Sequence, residues 1–426
     1  MHYCNRCLYP ENHPLGLSFD DEGVCSGCQV HEEKDEIEWA EKEEEFGQIL
    51  DRYRNRPKSH YDCVIPVTGS GDSFFIVDTI KNKWKLNPLL VTYNVQSNTK
   101  IGVRNLARLC TELDCDHMQY TVSPDKIKKI TQITMHELGD MYWHYLAGSQ
   151  TFPVQIATRL NIPLIIWGVH GWLDQVGMFS HHDSVEMTRK VRKEHGLRGF
   201  DADSLLNIDS DITSKDLQAF TYPSDAQLEK SRVRGLYLGN FIRWDAQKQI
   251  EQMIEKYGYE TTQQERTFNK YETTFCWNNA GVHDYIKYLK FGYGKATDHA
   301  CRDIRLNRLS REEGLALIKN YDHIKPEKSL KLFLEWSGMS ELAFHNYVDQ
   351  FRDPKAWEKY GDKTWEKTSS EDINANKEKI EASRLDVNDA RQYIQTPEKE
   401  PANEEDQYVL MGRSYIDDHN FKAVKG

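Results

Sequence analysis

Val64-Ile65-Pro66-Val67-Thr68-Gly69-Ser70-Gly71-Asp72-Ser73-Phe74-Phe75 is the stretch whose reading decides the fold. The apolar run from Cys63 to Val67 reads as a buried strand, and the run from Phe74 to Ile80 as a helix. Between them the chain breaks into Gly and Ser. A strand that gives way to small residues and re-enters as a helix presents backbone N–H groups at a helix N-terminus, a setting suited to phosphate. The pattern is Ser/Thr-Gly-Ser/Gly-x-Asp-Ser, distinct from the other common phosphate loop, G-x-x-x-x-G-K-S/T. Thr68 and Ser73 add hydroxyl donors beside Gly69, Ser70 and Gly71, and Asp72 is placed to hold the Mg²⁺ that accompanies a nucleotide. Taken alone, the hexapeptide is equally well a Gly-containing turn that binds nothing.

Around this stretch, strands and helices alternate. A helix is expected from about Ser73 to Lys83, a strand at Pro88 to Tyr93, a helix at Lys100 to Leu113 and a strand at His117 to Val122. A helix at Pro124 to Leu138, another over Pro153 to Leu160 and a strand at Pro163 to Gly168 follow. Such alternation implies a parallel sheet with helices on both faces, which binds ligands at the carboxyl ends of its strands. The Thr68 loop, Thr92 to Asn94, and Gly168-Val169-His170-Gly171 therefore share one expected cleft. Residues 171–235 are polar and irregular, an insertion or lid; the adjacent His181 and His182 would not reach one ion together. Residues 236–350 read as largely helical, interrupted by a turn at Gly292-Tyr293-Gly294. That turn carries Lys295 and Thr297, with Arg302 and Arg305 further on, a set suited to a diphosphate or carboxylate ligand or else to a plain surface loop.

The chain of 426 residues has room for two or three domains, and its 38% hydrophobic and 29% charged composition is that of a globular protein. No apolar run is long enough for a membrane span, so membrane insertion is not expected. The start, Met1-His2-Tyr3-Cys4, lacks the features of a signal peptide, and a cytoplasmic location is expected. A net charge of -12 argues against nucleic acid as a partner. Of nine cysteines, Cys4, Cys7, Cys25 and Cys28 are spaced C-x2-C-x17-C-x2-C, as in a zinc ribbon. Four thiolates select zinc and close its coordination sphere, so the site is structural; an iron–sulfur centre is the alternative. Cys63, Cys110, Cys115, Cys276 and Cys301 read as small buried hydrophobes. Residues 31–56 read as one exposed charged helix ended by Pro57, Thr396 to Asp406 as a charged linker, and Gln407 to Gly426 as a segment that regains apolar residues.

The Thr68–Ser73 loop resembles the PP-loop of ATP pyrophosphatases. The order of motifs is more specific. A four-Cys ribbon precedes the loop, and Pro88-Leu89-Leu90-Val91-Thr92 and Pro163-Leu164-Ile165-Ile166-Trp167-Gly168 follow it. Then come Lys290-Phe291-Gly292-Tyr293-Gly294-Lys295-Ala296-Thr297-Asp298, Ser310-Arg311-Glu312-Glu313-Gly314 and Phe351-Arg352-Asp353-Pro354-Lys355-Ala356-Trp357. Together these resemble the N-acetyl sugar amidotransferases of bacterial surface-polysaccharide and nonulosonic-acid pathways, over about residues 1–365. The resemblance implies an α/β fold. It would comprise a zinc ribbon (1–32), a charged helix or linker (33–57), a parallel-sheet PP-loop ATP pyrophosphatase domain of the adenine nucleotide alpha hydrolase-like type (58–250), a helical C-terminal region (251–365) and a charged tail (366–426). It also implies conversion of an acetamido group on an activated sugar to an acetamidino group, with ATP, Mg²⁺ and structural Zn²⁺, and with ammonia from a separate class I glutaminase. Asp72 and Lys295 are then the catalytic residues. Thr68, Gly69, Ser70, Gly71, Asp72, Ser73, Thr92 and Gly168 bind the nucleotide. His170, Tyr293, Lys295, Thr297, Asp298, Arg302 and Arg305 bind the sugar substrate.

The sequence departs from the family at four places. Thr68 stands for Ser, Ser70 for Gly and Gly71 for a frequent Lys, while Gly168-Val169-His170-Gly171 lacks the family's acidic residue. A tRNA-thiolating PP-loop enzyme and a degenerate PP-loop binding subunit are the alternative readings.

Overall fold

In the computed structural model, the described residues are 1–54, 60–208, 211–361, 364–368 and 379–381. Pro57 and the segments 396–406 and 407–426 lie outside them. The centre is a parallel sheet of five strands: β1 (Cys63–Pro66), β2 (Pro88–Tyr93), β3 (His117–Tyr120), β4 (Leu164–Trp167) and β5 (Arg234–Tyr237). Their order across the sheet is β3-β2-β1-β4-β5. Val64 pairs with Leu89 on one side and with Ile165 on the other, so β1 is central.

Alternation along these strands makes two cores. Ile65, Leu90 and Ile166 face the helices Gly71–Asp78, Lys100–Glu112 and Ala246–Tyr257, meeting Phe74, Leu109 and Ile250. Val64, Leu89, Val91 and Ile165 face the helices Pro124–Leu138 and Trp143–Leu160, meeting Ile127, Val154 and Ala157. Burial on both faces explains why these strands read as unbroken apolar runs. A third core joins the helices Trp277–Phe291, Glu327–Ser337 and Glu341–Asp349 to Trp357. Trp357 opens a small antiparallel sheet of β6 (Trp357–Tyr360), β7 (Thr364–Lys367) and β8 (Lys379–Glu381). The fourth core is the N-terminal ribbon, whose Leu8 and Tyr9 pack on Tyr293, Ala300 and Cys301.

The α/β class, the parallel sheet and the helical C-terminal region stand as expected. Three details differ. The fifth strand, β5, lies where the sequence reads as the junction of an irregular and a helical region. Residues 31–56 carry parts of two helices, Ser26–Glu36 and Trp39–Asp51, separated at Ile37 and Glu38. The break is fixed by Trp39, whose Nε1 donates to the Lys34 carbonyl, and by Lys34, whose ammonium is buried against Asp174 at 2.7 Å. The limits drawn at residues 250 and 365 fall inside the Ala246–Tyr257 helix and inside β7. No helix among the described residues is long and apolar enough to cross a membrane.

The loop after β1 is held by close backbone packing. A Cβ on Gly69 would run into the Gly102 carbonyl oxygen, and a Cβ on Gly102 would run into the Phe275 backbone. Gly102→Ala is expected to cost about 1–3 kcal/mol, as overpacking does. A denaturant midpoint unchanged from the native protein would show that this three-layer contact is slack.

Candidate active site and metal centre

Strand order reverses at β1 and β4, and the loops that leave these two strands border a cleft of about 380 Å³. Thr68, Asp72, Ser73, Gly168 and His170 line it, as expected from the sequence. Ser70 is the residue before the helix, but its side chain does not cap it. Its hydroxyl lies 3.1 Å from Ser73 Oγ, which accepts the Thr68 N–H at 2.9 Å. The loop is thereby shaped from within, with its uncapped helix start beside the cleft.

Asp72 Oδ1 is buried without a hydrogen-bond partner. Burial pushes its carboxyl up to about 7, Glu272 adds to the rise, and Arg302 opposes it. An orphaned carboxylate oxygen at a phosphate-type loop fits a divalent cation, which favours such oxygens together with phosphate oxygens. Three more buried polar atoms on the cleft lack partners: Gln150 Oε1, Trp167 Nε1 and His195 Nδ1. His170 Nδ1 accepts the Leu173 N–H at 3.3 Å, and burial pushes its imidazole down to about 4.

Other expected residues lie elsewhere. Thr92 points away from the cleft, between its cleft-lining neighbours Val91 and Tyr93; its hydroxyl donates to the Val67 carbonyl at 2.8 Å and meets His117. Gly69 and Gly71 offer backbone only, and a Cβ at position 71 would press on Ile250 rather than enter the cleft. A lysine there would therefore start out toward the Ala246–Tyr257 helix.

The Gly292–Arg305 set is not a loop at the cleft. Gly292, at φ +79°, ends one helix, and the next runs from Lys295 to Arg305. Thr297 donates to Asp322 at 2.5 Å. Asp298 accepts from Lys287 at 2.6 Å and from Tyr9 at 3.2 Å, and Tyr293 packs against Tyr9 and His13. Lys295 borders a small polar pocket with Glu265, Arg266 and Asp284. Arg302 pairs with Glu272, and that pair acts electrostatically on Asp72. Of the whole set, Arg302 alone is coupled to the loop in this way.

Arg305 belongs to the metal centre. The Sγ atoms of Cys4, Cys7, Cys25 and Cys28 all lie within 4.8 Å of one another. Cys4 and Cys28 are 3.9 Å apart, and Cys7 and Cys25 are 3.7 Å apart. Ligands about 2.3 Å from a tetrahedral zinc are about 3.8 Å from each other, so the four thiols fit one zinc ion. Arg305 Nε donates to Cys28 at 3.3 Å, and its Nη2 to Cys25 at 3.5 Å. Zinc with four thiolates carries a net charge of about -2, and this buried guanidinium offsets part of it. Cys301 is a fifth buried cysteine at the centre, accepting the Leu8 N–H at 3.3 Å.

The sequence reading missed the segment Glu272-Thr273-Thr274-Phe275-Cys276. Thr99 donates to the Thr274 carbonyl at 2.6 Å, and the Thr99 N–H donates to Phe275 O at 2.9 Å. Thr274 Oγ1 in turn reaches Gly69 O at 3.5 Å. This segment buttresses the loop, and only its neighbouring hydroxyls and Glu272 signal a polar role in the sequence.

Residues 265–370 match the family described as LPS biosynthesis protein WbpG-like, C-terminal domain. That segment contains Glu272, Arg302 and Arg305, so the loop's buttress and the metal centre's guanidinium both come from it. No curated protein matches the chain. Among solved structures, NMN synthetase from Francisella tularensis is 13% identical over 51% of this chain and 87% of its own, with a TM-score of 0.27. NH3-dependent NAD synthetase from Campylobacter jejuni is 14% identical over 52% and 96%, with a TM-score of 0.26. The tRNA thiolase NcsA from Methanococcus maripaludis, solved with its 4Fe-4S cluster, is 12% identical over 76% and 90%, with a TM-score of 0.28. At scores this low the fold is read from the sheet itself.

Two measurements check the site. Elemental analysis should give one zinc per chain, and Arg305→Met should weaken zinc retention against a chelator by about 10–100-fold; unchanged retention would deny the guanidinium its part. The folded Asp72 carboxyl is held above its unfolded value of 3.8. The folded protein therefore keeps this proton longer, and the group lowers stability as pH rises from about 4 through about 7. Asp72→Asn should raise the melting temperature of the nucleotide-free protein, and by more at pH 8 than at pH 5.

Proposed function

We propose that the chain is an ATP-dependent amidotransferase that converts an acetamido group of an activated sugar to an acetamidino group in surface-polysaccharide synthesis. The observation that carries this reading is the orphaned Asp72 oxygen in a phosphate-type loop where the strand order reverses. The match of residues 265–370 to an LPS biosynthesis domain supports the substrate class.

In this reading the amide oxygen attacks the α-phosphorus of ATP and expels pyrophosphate. Ammonia then adds to the imidate carbon, and AMP leaves with the former amide oxygen. The amide oxygen is a poor leaving group and AMP a good one, which is why ATP is consumed. Thr68, Ser73 and the uncapped helix start bind the phosphates, and Asp72 would hold a Mg²⁺ whose charge would offset theirs. His195 Nδ1, buried and unpartnered on the cleft, takes the proton that the adding ammonia sheds. Ammonia comes from a separate class I glutaminase.

ATP–pyrophosphate exchange with acetamido sugars tests the reading. Turnover should require ammonium and should fail with glutamine alone. Asp72→Ala should lower exchange by about 10²–10³ while zinc content is kept. Full exchange in Asp72→Ala would reduce the loop to an ordinary turn.

A further inference from the structure

Beyond Trp167 the cleft has a neighbour. A second chamber of about 200 Å³ lies along the edge strand β5, and Trp167 and Met187 line both spaces. The wall on its outer side is the segment around Met187, whose N–H donates to the Gly235 carbonyl at 2.9 Å. Gly235 leaves the room that this wall needs, since a Cβ there would stand 3.0 Å from both Met187 Cβ and Trp167 Nε1.

We propose that this chamber binds a neutral polyhydroxylated ring, the sugar part of the substrate; the assignment deepens the amidotransferase reading and rests on it. Sites for drug-sized ligands run to roughly 300–1,000 Å³, so this smaller space suits one ring rather than a nucleotide. Its polar groups are planar and suited to paired hydroxyls. Glu186 Oε1 accepts both Arg234 Nε at 2.9 Å and Arg234 Nη2 at 2.7 Å, so the pair with Arg234 engages one carboxylate oxygen and not the other. The Trp167 N–H is buried and unpartnered at the common wall. Thr188 adds a hydroxyl.

The charges argue against phosphate. Arg234 is answered by Glu186, and Arg189 is ion-paired with Asp225 at 3.0 Å. Each guanidinium thus has a carboxylate beside it, while Trp167 and Met187 supply an apolar surface for the ring's C–H face.

The test is calorimetric titration of the full chain with free N-acetylhexosamines and, separately, with inorganic pyrophosphate. Neutral sugars should bind the native protein. Glu186→Gln and the chamber-filling Thr188→Phe should each weaken that binding by about tenfold or more, the scale of a lost charge-assisted hydrogen bond, and leave ATP binding unchanged. Sugar affinity unaltered in Glu186→Gln, no sugar binding at all, or binding of pyrophosphate in place of sugars would overturn the proposal. Glu186→Gln decides alone if Thr188→Phe does not fold. Sugar binding that depends on the chamber, in a protein without ATP–pyrophosphate exchange, would keep the chamber and remove the amidotransferase.

Discussion

One guanidinium ties three parts of this chain together. Arg305 stands at the end of the Lys295–Arg305 helix, donates to the ribbon thiols, and donates also to the carbonyls of Asp174 at 3.2 Å and Gln175 at 2.9 Å. Those carbonyls close the short helix that follows the β4 loop, one border of the cleft. A buried charge is costly unless it is met on every side. Here thiolates meet it on one side and carbonyl dipoles on the other. Ribbon, helical region and sheet domain are therefore held in one mutual arrangement by a group that none of them could bury alone. The neighbouring Lys34–Asp174 pair acts in the same direction: burial pushes the Asp174 carboxyl up, but Lys34, Arg302 and Arg305 outweigh it and keep the carboxylate charged.

The same helix carries a second stripe. Asp298, Cys301 and Arg305 are spaced three and four residues apart and face the ribbon, while His299 and Arg302 face Glu272. One helix thus serves the metal centre with one face and the loop with the other. The Glu272–Arg302 pair lies within the electrostatic reach of Asp72, and the adjoining Thr274 and Phe275 touch the loop and the Gly102 turn. The C-terminal region is therefore part of the loop's support, which its separation of some two hundred residues in sequence conceals.

This division explains what the sequence disclosed. β1, β2 and β4 are buried on both faces, so their composition is continuous and apolar, and their limits were legible to within a residue or two. β5 is an edge strand of only Arg-Gly-Leu-Tyr, covered by one antiparallel bridge from Met187, and four such residues carry no periodic signal. Thr68, Asp72, Ser73, Gly168 and His170 could be placed on one cleft because strand ends fix where they must stand. Thr297 and Arg305 were expected at the ligand because basic and hydroxyl groups near glycines suit anions, and Tyr293 and Asp298 because the family resemblance implies it. Their partners are internal instead: Asp322, Lys287, Tyr9 and the thiols of Cys7, Cys25 and Cys28. A donor's type shows what it can bind, while its partner depends on the helical face it occupies. Spacing of three and four from Asp298 to Arg305 was the available clue.

The cleft itself was half visible. Its phosphate-type side follows from a strand–turn–helix grammar that short sequence patterns express. Its other side is built from Gln150, Trp167 and His195, which come from an α-helix, a strand end and a short π-helix and share no local pattern. Each of them has a buried polar atom without a partner, as Asp72 has. A folded chain leaves few such atoms, since each one costs about 1–3 kcal/mol. Four on one cleft is a concentration that internal packing does not require. Other such atoms lie elsewhere among the described residues, but these four border one space where β1 and β4 part, three of them opposite the loop.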